Sequence, residues 1–368
     1  MKIVWVIRPA EGGILQHLQQ LSLGIPEFEI VVVGPPALEE WAGTRRFIPL
    51  DLVDGLKIRE DLGTIRRLRR VFKQEKAQVI HAHGLKAALV TAAALTPLGH
   101  PHFLFTAHNS LPQSRSAFGS WGYRVVQRWM FARMDKIISV SDAVRSQIVR
   151  YVPERKVLTI YNGISTSRFG EFSWELARDP LGLAHEDQVV GTVARLIPSK
   201  GIHTLLEAFS LISKIVPKLK LVVVGDGPER VKLEKYGQAL GLENRVHFLG
   251  WRDDVPQLMA GWDVFALPST SEGFNLSVLE AMASRLPVIV ADLPSLREAV
   301  VPNRGGLVVL PGNAAELAAA LLHLLKDPEK AKAMGTFNRD RVNSLFGEER
   351  MINCTRALYE GLSLGTRT

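Results

Sequence analysis

The run Val189-Val190-Gly191-Thr192-Val193-Ala194 leads into Arg195-Leu196-Ile197-Pro198-Ser199-Lys200-Gly201 and then into a helical pattern over Ile202 to Ile215. Six uncharged residues in a row fit a strand covered on both faces, the habit of parallel sheets rather than of sheets with one wet face. The helix that follows carries the chain back for the next parallel strand. This strand, loop and helix succession recurs throughout. In the first half the apolar runs are Ile3 to Ile7, Glu29 to Val33, Gln78 to His81, His102 to Thr106, Lys136 to Val140 and Val157 to Ile160. In the second half they are Val189 to Ala194, Leu219 to Val224, Arg245 to Leu249, Asp263 to Leu267, Pro287 to Val290 and Gly306 to Leu310.

Two series of similar size therefore lie in tandem. The break falls between Tyr161 and Gln188, where Asn162 to Asp187 shows no sustained period and carries the turn pairs Asn162-Gly163 and Asp179-Pro180. The expected architecture is α/β: two doubly wound, Rossmann-like domains facing a central cleft, with C-terminal helices. The boundaries read as 1–170, a linker at 171–187, a second domain at 188–345, and a last helix at 346–368 packing back toward the first domain. Asn313 is placed to cap a helix over Ala314 to Leu325. In such sheets ligands bind outside the carboxyl ends of the strands, so chemistry belongs on the strand-to-helix loops.

The 368 residues, 46% hydrophobic and 22% charged, are those of an ordinary globular protein, which excludes disorder, collagen and coiled coil. The net charge of +8 is unevenly placed. Residues 1–170 hold 23 Lys+Arg against 13 Asp+Glu, whereas 171–368 hold 22 against 24. An anionic partner for the first half, or simply a solvated face, accounts for this. The single cysteine, Cys354, cannot form an intrachain disulfide, which fits a reducing compartment. The apolar run Ile3 to Ile7 is too short for a signal-peptide core. A cytoplasmic location is expected, with a peripheral position on the cytoplasmic membrane face as an extension of it.

Three loops carry candidate chemistry. After the first strand, Pro9-Ala10-Glu11-Gly12-Gly13 opens a helix at Ile14; glycines there let backbone approach a ligand, although any tight turn favours glycine. No Gly-x-Gly-x-x-Gly is present at this turn, which counts against a dinucleotide oxidoreductase. On the loop after the Val189 strand, Arg195 and Lys200 form a candidate diphosphate clamp: a guanidinium forks two oxygens and an ammonium adds a point charge. The third loop reads Ser269-Thr270-Ser271-Glu272-Gly273-Phe274-Asn275-Leu276 and enters a helix containing Glu280. If both glutamates were helical they would lie roughly 12 Å apart along the axis. That exceeds the spacing of glycosidase carboxylate pairs. They read as separate acceptors for hydroxyl groups of one ligand; a capping acid plus a solvated glutamate is the plainer reading of either alone.

Glu272 to Glu280 resembles the Glu-x7-Glu motif of the retaining, nucleotide-sugar-dependent glycosyltransferases of family 4 (group 1), which have the two-lobed GT-B fold. The likeness spans nearly the whole chain: Gly12-Gly13, Val79-Ile80-His81-Ala82-His83, the His108 loop, Ser139-Val140-Ser141-Asp142, Tyr161-Asn162-Gly163-Ile164, Arg195 with Lys200-Gly201, Val224-Gly225-Asp226-Gly227-Pro228, and Glu272 to Ala283. The resemblance implies that Arg195 and Lys200 hold the donor diphosphate and that Glu280 accepts from the ribose hydroxyls. It implies that Glu272 faces the donor sugar, with backbone amides around Phe274, Asn275 and Leu276 near sugar and phosphate. His108 would contact the sugar near the reacting carbon, and Gly12 and Gly13 would let the first loop meet phosphate and acceptor. Asn275 stands where many relatives have glycine, which leaves the donor's identity open.

The implied reaction is retaining transfer of a hexosyl group from a UDP- or GDP-sugar to a hydroxyl of a glycan, glycolipid or polyprenol-linked acceptor, in cell-envelope or polysaccharide biosynthesis. Because the diphosphate is already a good leaving group, charge stabilisation by Arg195, Lys200 and helix N-termini is the main requirement. No Asp-x-Asp triplet occurs, and a metal-independent site needing no cofactor besides the donor substrate is expected. His81 and His83 lack a third ligand at a recognisable spacing, and the strand should end near His81; His100 and His102 read as peripheral.

The segment Asp61 to Lys76, with Arg66, Arg67, Arg69, Arg70, Lys73 and Lys76, suits an anionic lipid surface or simply an amphipathic helix covering a sheet. A second mixed basic and aromatic cluster, Trp121 to Arg133, is equally explained by core packing. Gly250-Trp251-Arg252 is a candidate contact for the donor base. Two other functions fit the same residues: a GT-B nucleotide-sugar epimerase, and a non-catalytic sugar-nucleotide or nucleic-acid binding protein. Little beyond scattered aromatics is available for base readout, so no nucleic acid partner is expected.

Overall fold

The Val- and Ile-rich runs form strands in a computed structural model that describes residues 1–9, 12–52, 55, 57–96, 101–111, 117–170 and 172–364. The chain divides into two units, Met1–Asn162 with Glu349–Thr368, and Gly163–Glu348. The first unit is a seven-stranded parallel sheet of β1 (Lys2–Ile7), β2 (Glu29–Gly34), β3 (Arg46–Pro49), β4 (Val79–His83), β5 (His102–Ala107), β6 (Lys136–Ser139) and β7 (Val157–Thr159). Its order is β3-β2-β1-β4-β5-β6-β7. The second is a six-stranded parallel sheet of β8 (Gln188–Val193), β9 (Leu219–Val224), β10 (Val246–Gly250), β11 (Val264–Leu267), β12 (Val288–Ala291) and β13 (Gly306–Val309), in the order β10-β9-β8-β11-β12-β13.

Two features depart from the sequence reading. Strand β3 carries Arg46 and Pro49 around only two apolar residues and sits at the sheet edge, where a short, charged strand discourages further pairing. Strand β4 runs two residues beyond His81, pairing Ala82 with Val6 and His83 with Ile7, so both imidazoles lie in the sheet.

In each sheet the chain begins at the centre, winds to one edge, returns and winds to the other. The reversal falls between β1 and β4 in the first unit and between β8 and β11 in the second, and the loops leaving those strands are where a doubly wound sheet opens to ligands. The first core gathers Ile3, Trp5, Ile7, Leu18, Val32, Val79 and Leu104, together with Tyr359 of the last helix, Glu348–Leu364. Trp5 donates its indole N–H to the Tyr359 hydroxyl at 3.1 Å.

Of the 171–187 stretch, residue 171 lies outside the described residues, as do Ala10, Glu11 and His100. The remainder carries the helix Trp174–Arg178 and belongs to the second unit. Its Arg178 is almost fully buried, donating to the Gly261 carbonyl at 2.7 Å and to Asp263 Oδ2 at 3.0 Å.

Candidate functional site

In the second unit the loop after β8 and the loop after β11 meet through specific contacts. The Thr270 amide donates to the Ser199 carbonyl at 2.8 Å, which fixes the spacing of the two loops. Gly201 has φ of +68°, and a Cβ there would stand 2.1 Å from the Pro268 carbonyl oxygen, so only glycine admits the approach. The Val224-Gly225-Asp226-Gly227-Pro228 stretch acts similarly from β9: the Leu196 amide donates to the Asp226 carbonyl at 2.8 Å, and a Cβ on Gly225 would lie 2.0 Å from the Ala194 carbonyl oxygen. These glycines hold the Arg195–Lys200 loop in place.

The scaffold brings together Lys200 and Glu272, 72 positions apart. Lys200 Nζ lies 2.7 Å from Glu272 Oε1, with side-chain exposures of only 18% and 6%. The same oxygen accepts from Ser269 Oγ at 2.7 Å and from Asn275 Nδ2 at 3.1 Å, while Ser295 Oγ donates to the Glu272 backbone carbonyl at 3.0 Å. Asn275 has a second task. Its Oδ1 accepts from the Val278 amide at 3.0 Å, capping the helix Leu276–Ala283. Its side chain is thus turned onto Glu272 and its own helix. Glu272 precedes that cap and is not helical, so the two glutamates do not share one helix; Glu280 lies within it, buried. Phe274 packs against Phe346 with ring centroids 5.2 Å apart, and Leu276 is buried as well, so both side chains are taken up by packing. Arg195 is exposed at the end of β8. At the far edge of this sheet Trp251 is 69% exposed.

In the first unit four histidines converge at the reversal point. Gly12, with φ of +58°, precedes the helix Gly13–Gly24, which carries His17; His81 and His83 lie on β4, and His108 follows β5. All four are buried. His83 Nδ1 lies 3.3 Å from His108 Nε2, and the His17 and His108 rings meet edge to face at 5.0 Å. Burial is the largest cause holding each imidazole neutral: it lowers His17 to about 4 and His81 to about 3, and both His83 and His108 fall well below the ordinary histidine value. Among the described residues no group of three or more His, Cys, Asp or Glu is arranged to hold a metal ion. The four imidazoles pack on one another, and His83 and His108 lie within hydrogen-bonding distance.

Several residues escaped the sequence reading. His17 follows Gly12 by five positions on the same strand-to-helix unit, a signal that was available. Ser269 stands three residues before Glu272, within the quoted motif. Tyr359 had no local signal. Ser141 Oγ caps the helix Asp142–Ile148 by accepting from the Val144 amide, and Asp142 accepts from Thr159 Oγ1 and the Tyr161 hydroxyl.

In the helix Ile58–Glu75, Arg69 donates to the carbonyls of Ala93 and Ala94 and caps the neighbouring helix end, which removes it from the surface set. Arg59, Arg66, Arg67, Arg70 and Lys73 remain exposed, as do Ile58 and Leu62. In the helix Ala117–Ala132 the Trp121 side chain lies outside the described residues; Met130 and Phe131 are core, and the Arg133 guanidinium lies 4.1 Å over the Trp129 ring.

Paired doubly wound units, one presenting a cation and buried carboxylates at its reversal point and the other buried imidazoles, make up a GT-B glycosyltransferase. Residues 12–168 match the model of Glycosyltransferase Family 4, and residues 174–341 that of Glycosyl transferases group 1. The two matches together cover most of the chain, which therefore belongs to the group 1, family 4 glycosyltransferases.

Among relatives, the Escherichia coli UDP-Gal:alpha-D-GlcNAc-diphosphoundecaprenol alpha-1,3-galactosyltransferase is 28% identical over 68% of this chain and 66% of its own length. The Mycobacterium tuberculosis GDP-mannose-dependent alpha-(1-6)-phosphatidylinositol monomannoside mannosyltransferase is 27% identical over 91% of each chain. In fold, the chain is similar to Anabaena HepE in complex with UDP-glucose, with a TM-score of 0.86 and 24% identity over 98% of this chain and 100% of that one.

Proposed function

We propose that the protein is a retaining hexosyltransferase that moves a sugar from a UDP- or GDP-sugar to a hydroxyl of a glycan, glycolipid or polyprenol-linked acceptor, without a metal ion. The observation that carries this reading is the Lys200–Glu272 pair at the β8/β11 reversal, flanked by exposed Arg195 and buried Glu280. Arg195 and Lys200 bind the donor diphosphate and neutralise the charge that develops as the bond from the anomeric carbon to the phosphate oxygen breaks. Glu280 accepts from the ribose hydroxyls. Glu272, its Oε1 held by three donors, faces the sugar, and the amides around Phe274, Asn275 and Leu276 meet sugar and phosphate. In the first unit, His108 contacts the sugar, and Gly12 and Gly13 admit phosphate and acceptor. The acceptor oxygen forms the new bond on the same face, and its proton passes to the departing phosphate. The UDP-Gal, GDP-mannose and UDP-glucose named for the relatives support a nucleotide-diphosphate sugar donor.

The exposed basic face of Ile58–Glu75, edged by Ile58 at 76% exposure, supports a peripheral seat on an anionic cytoplasmic leaflet. Among the described residues no helix is long and apolar enough to cross a membrane. The test is release of UDP or GDP from UDP-glucose, UDP-galactose, UDP-N-acetylglucosamine and GDP-mannose, with and without a chelator, followed by the anomeric configuration of the product. Transfer that survives chelation and keeps the donor configuration is expected. An inverted product, loss of turnover with chelator, or unimpaired donor binding by Glu272→Ala would overturn the reading.

A further inference from the structure

We propose that Tyr359 and His83 are positioning residues for His108, acting through a chain of rings that begins at Trp5; the inference rests on the reading of His108 as a sugar contact. The chain's direction follows from donor inventory. An indole N–H only donates, so Trp5 Nε1 gives its hydrogen to the Tyr359 hydroxyl at 3.1 Å. Nδ1 of His81, 2.7 Å away, is the acceptor in reach of the phenolic hydrogen. With Nδ1 accepting, a neutral His81 carries its proton on Nε2 and donates it to Thr106 Oγ1 at 2.8 Å. In this direction the indole, phenolic and imidazole hydrogens each have an acceptor, and His81 is held in one tautomer and one ring orientation.

His81 transmits that orientation by contact. Its ring lies 4.1 Å from that of His83, tilted by 37°, and Trp5 meets His83 edge to face at 5.5 Å. His83 Nδ1 in turn engages His108 Nε2 at 3.3 Å, which fixes the rotation of the His108 ring and leaves Nδ1 as its other polar atom. Four fully buried rings from β1, β4 and the last helix thus set the angle of one imidazole. Misplacing a ligand-contacting group by about 1 Å costs up to about a hundredfold in rate.

The experiment has an arm independent of activity. Long-range 15N–1H spectra of the full chain read each histidine's tautomer; His81 is expected as the Nε2–H form. Tyr359→Phe is expected to mix the His81 tautomers, shift the His108 nitrogens and lower kcat about tenfold to a hundredfold with donor KM within about twofold. His83→Phe should do the same to His108 and kcat, while His83→Asn, whose amide stands near the place of Nδ1, should recover most of both. The His83 pair decides the matter if Tyr359→Phe does not fold. Unchanged His108 signals or an unchanged kcat in His83→Phe overturns the proposal. Full activity of His108→Ala would instead overturn the role of His108 itself, with the spectra still deciding whether the ring chain exists.

Discussion

Replacing Lys200 by Met tests the ion pair at the centre of the second unit. The change removes one charge-assisted hydrogen bond to a carboxylate, worth about 1.5–3 kcal/mol. Removing one partner of a buried pair can cost about 3–5 kcal/mol when the remaining charge is stranded. Glu272 is not stranded, because Ser269 and Asn275 still donate to Oε1 at 2.7 and 3.1 Å, so the lower range applies. For a unit the size of 163–348, each kcal/mol shifts the melting midpoint by roughly 2–4 °C, which gives a fall of about 3–12 °C. Hydrogen exchange at the amides of β8 and β11, measured across urea, reads the stability of this unit separately. The measurement is made on wild type, Lys200→Met, Glu272→Gln and the double variant. A coupling of at least about 1 kcal/mol is expected; additivity within about 0.5 kcal/mol would refute the pairing and with it the shared cation–carboxylate site.

Asn275→Ala loses a helix cap and a donor to Glu272 and should cost about 1–2 kcal/mol in urea unfolding. Gly201→Ala should destabilise the second unit severely, because its Cβ would meet the Pro268 carbonyl at 2.1 Å, whereas Gly182→Ala, with φ of +62° and open space around it, should cost only about 1–2 kcal/mol in the same assay. The buried histidines give a pH dependence with a definite sign. Since His17 and His81 titrate at about 4 and about 3 when folded, the unfolded chain binds more protons below about 6.5. Stability of the first unit should therefore fall as pH drops from about 6.5 towards 4, by about 1.4 kcal/mol per pH unit for each such histidine, and level off above pH 7. Denaturation midpoints at pH 5 and 7 check this, with His17→Gln flattening the slope.

Strands buried on both faces are legible because burial demands uninterrupted Val and Ile, and β1, β8 and β9 carry that pattern plainly. Strand β3 is not legible because an edge strand has no such demand, and β4 reads short because His81 and His83 look polar although both are fully buried within the strand. The candidate site was legible as residue types on the right loops: Arg195, Lys200 and Glu272 follow strands that flank a reversal. Its wiring was not. That Ser269, Asn275 and Lys200 converge on one carboxylate oxygen depends on glycine-permitted loop contacts across 72 positions, and no local pattern encodes such a distance. The role of Tyr359 depends on a contact 278 positions away, with His81.

That last contact bears on how the chain matures. Residues 163–348 are inserted, in chain order, between the bulk of the first unit and the helix that completes it. During synthesis the second unit has all of its residues in hand before the first does, although the first begins emerging earlier. Until residue 359 arrives, Trp5 and His81 lack the hydroxyl that joins them, and the loop to be closed is 354 residues long from Trp5. Loop-closure entropy grows only logarithmically, so folding of the intervening unit, which shortens the effective tether, makes that closure easier. A nascent chain halted before the last helix should hold a finished second unit beside a first unit whose β1/β4 seam still exchanges its amides freely.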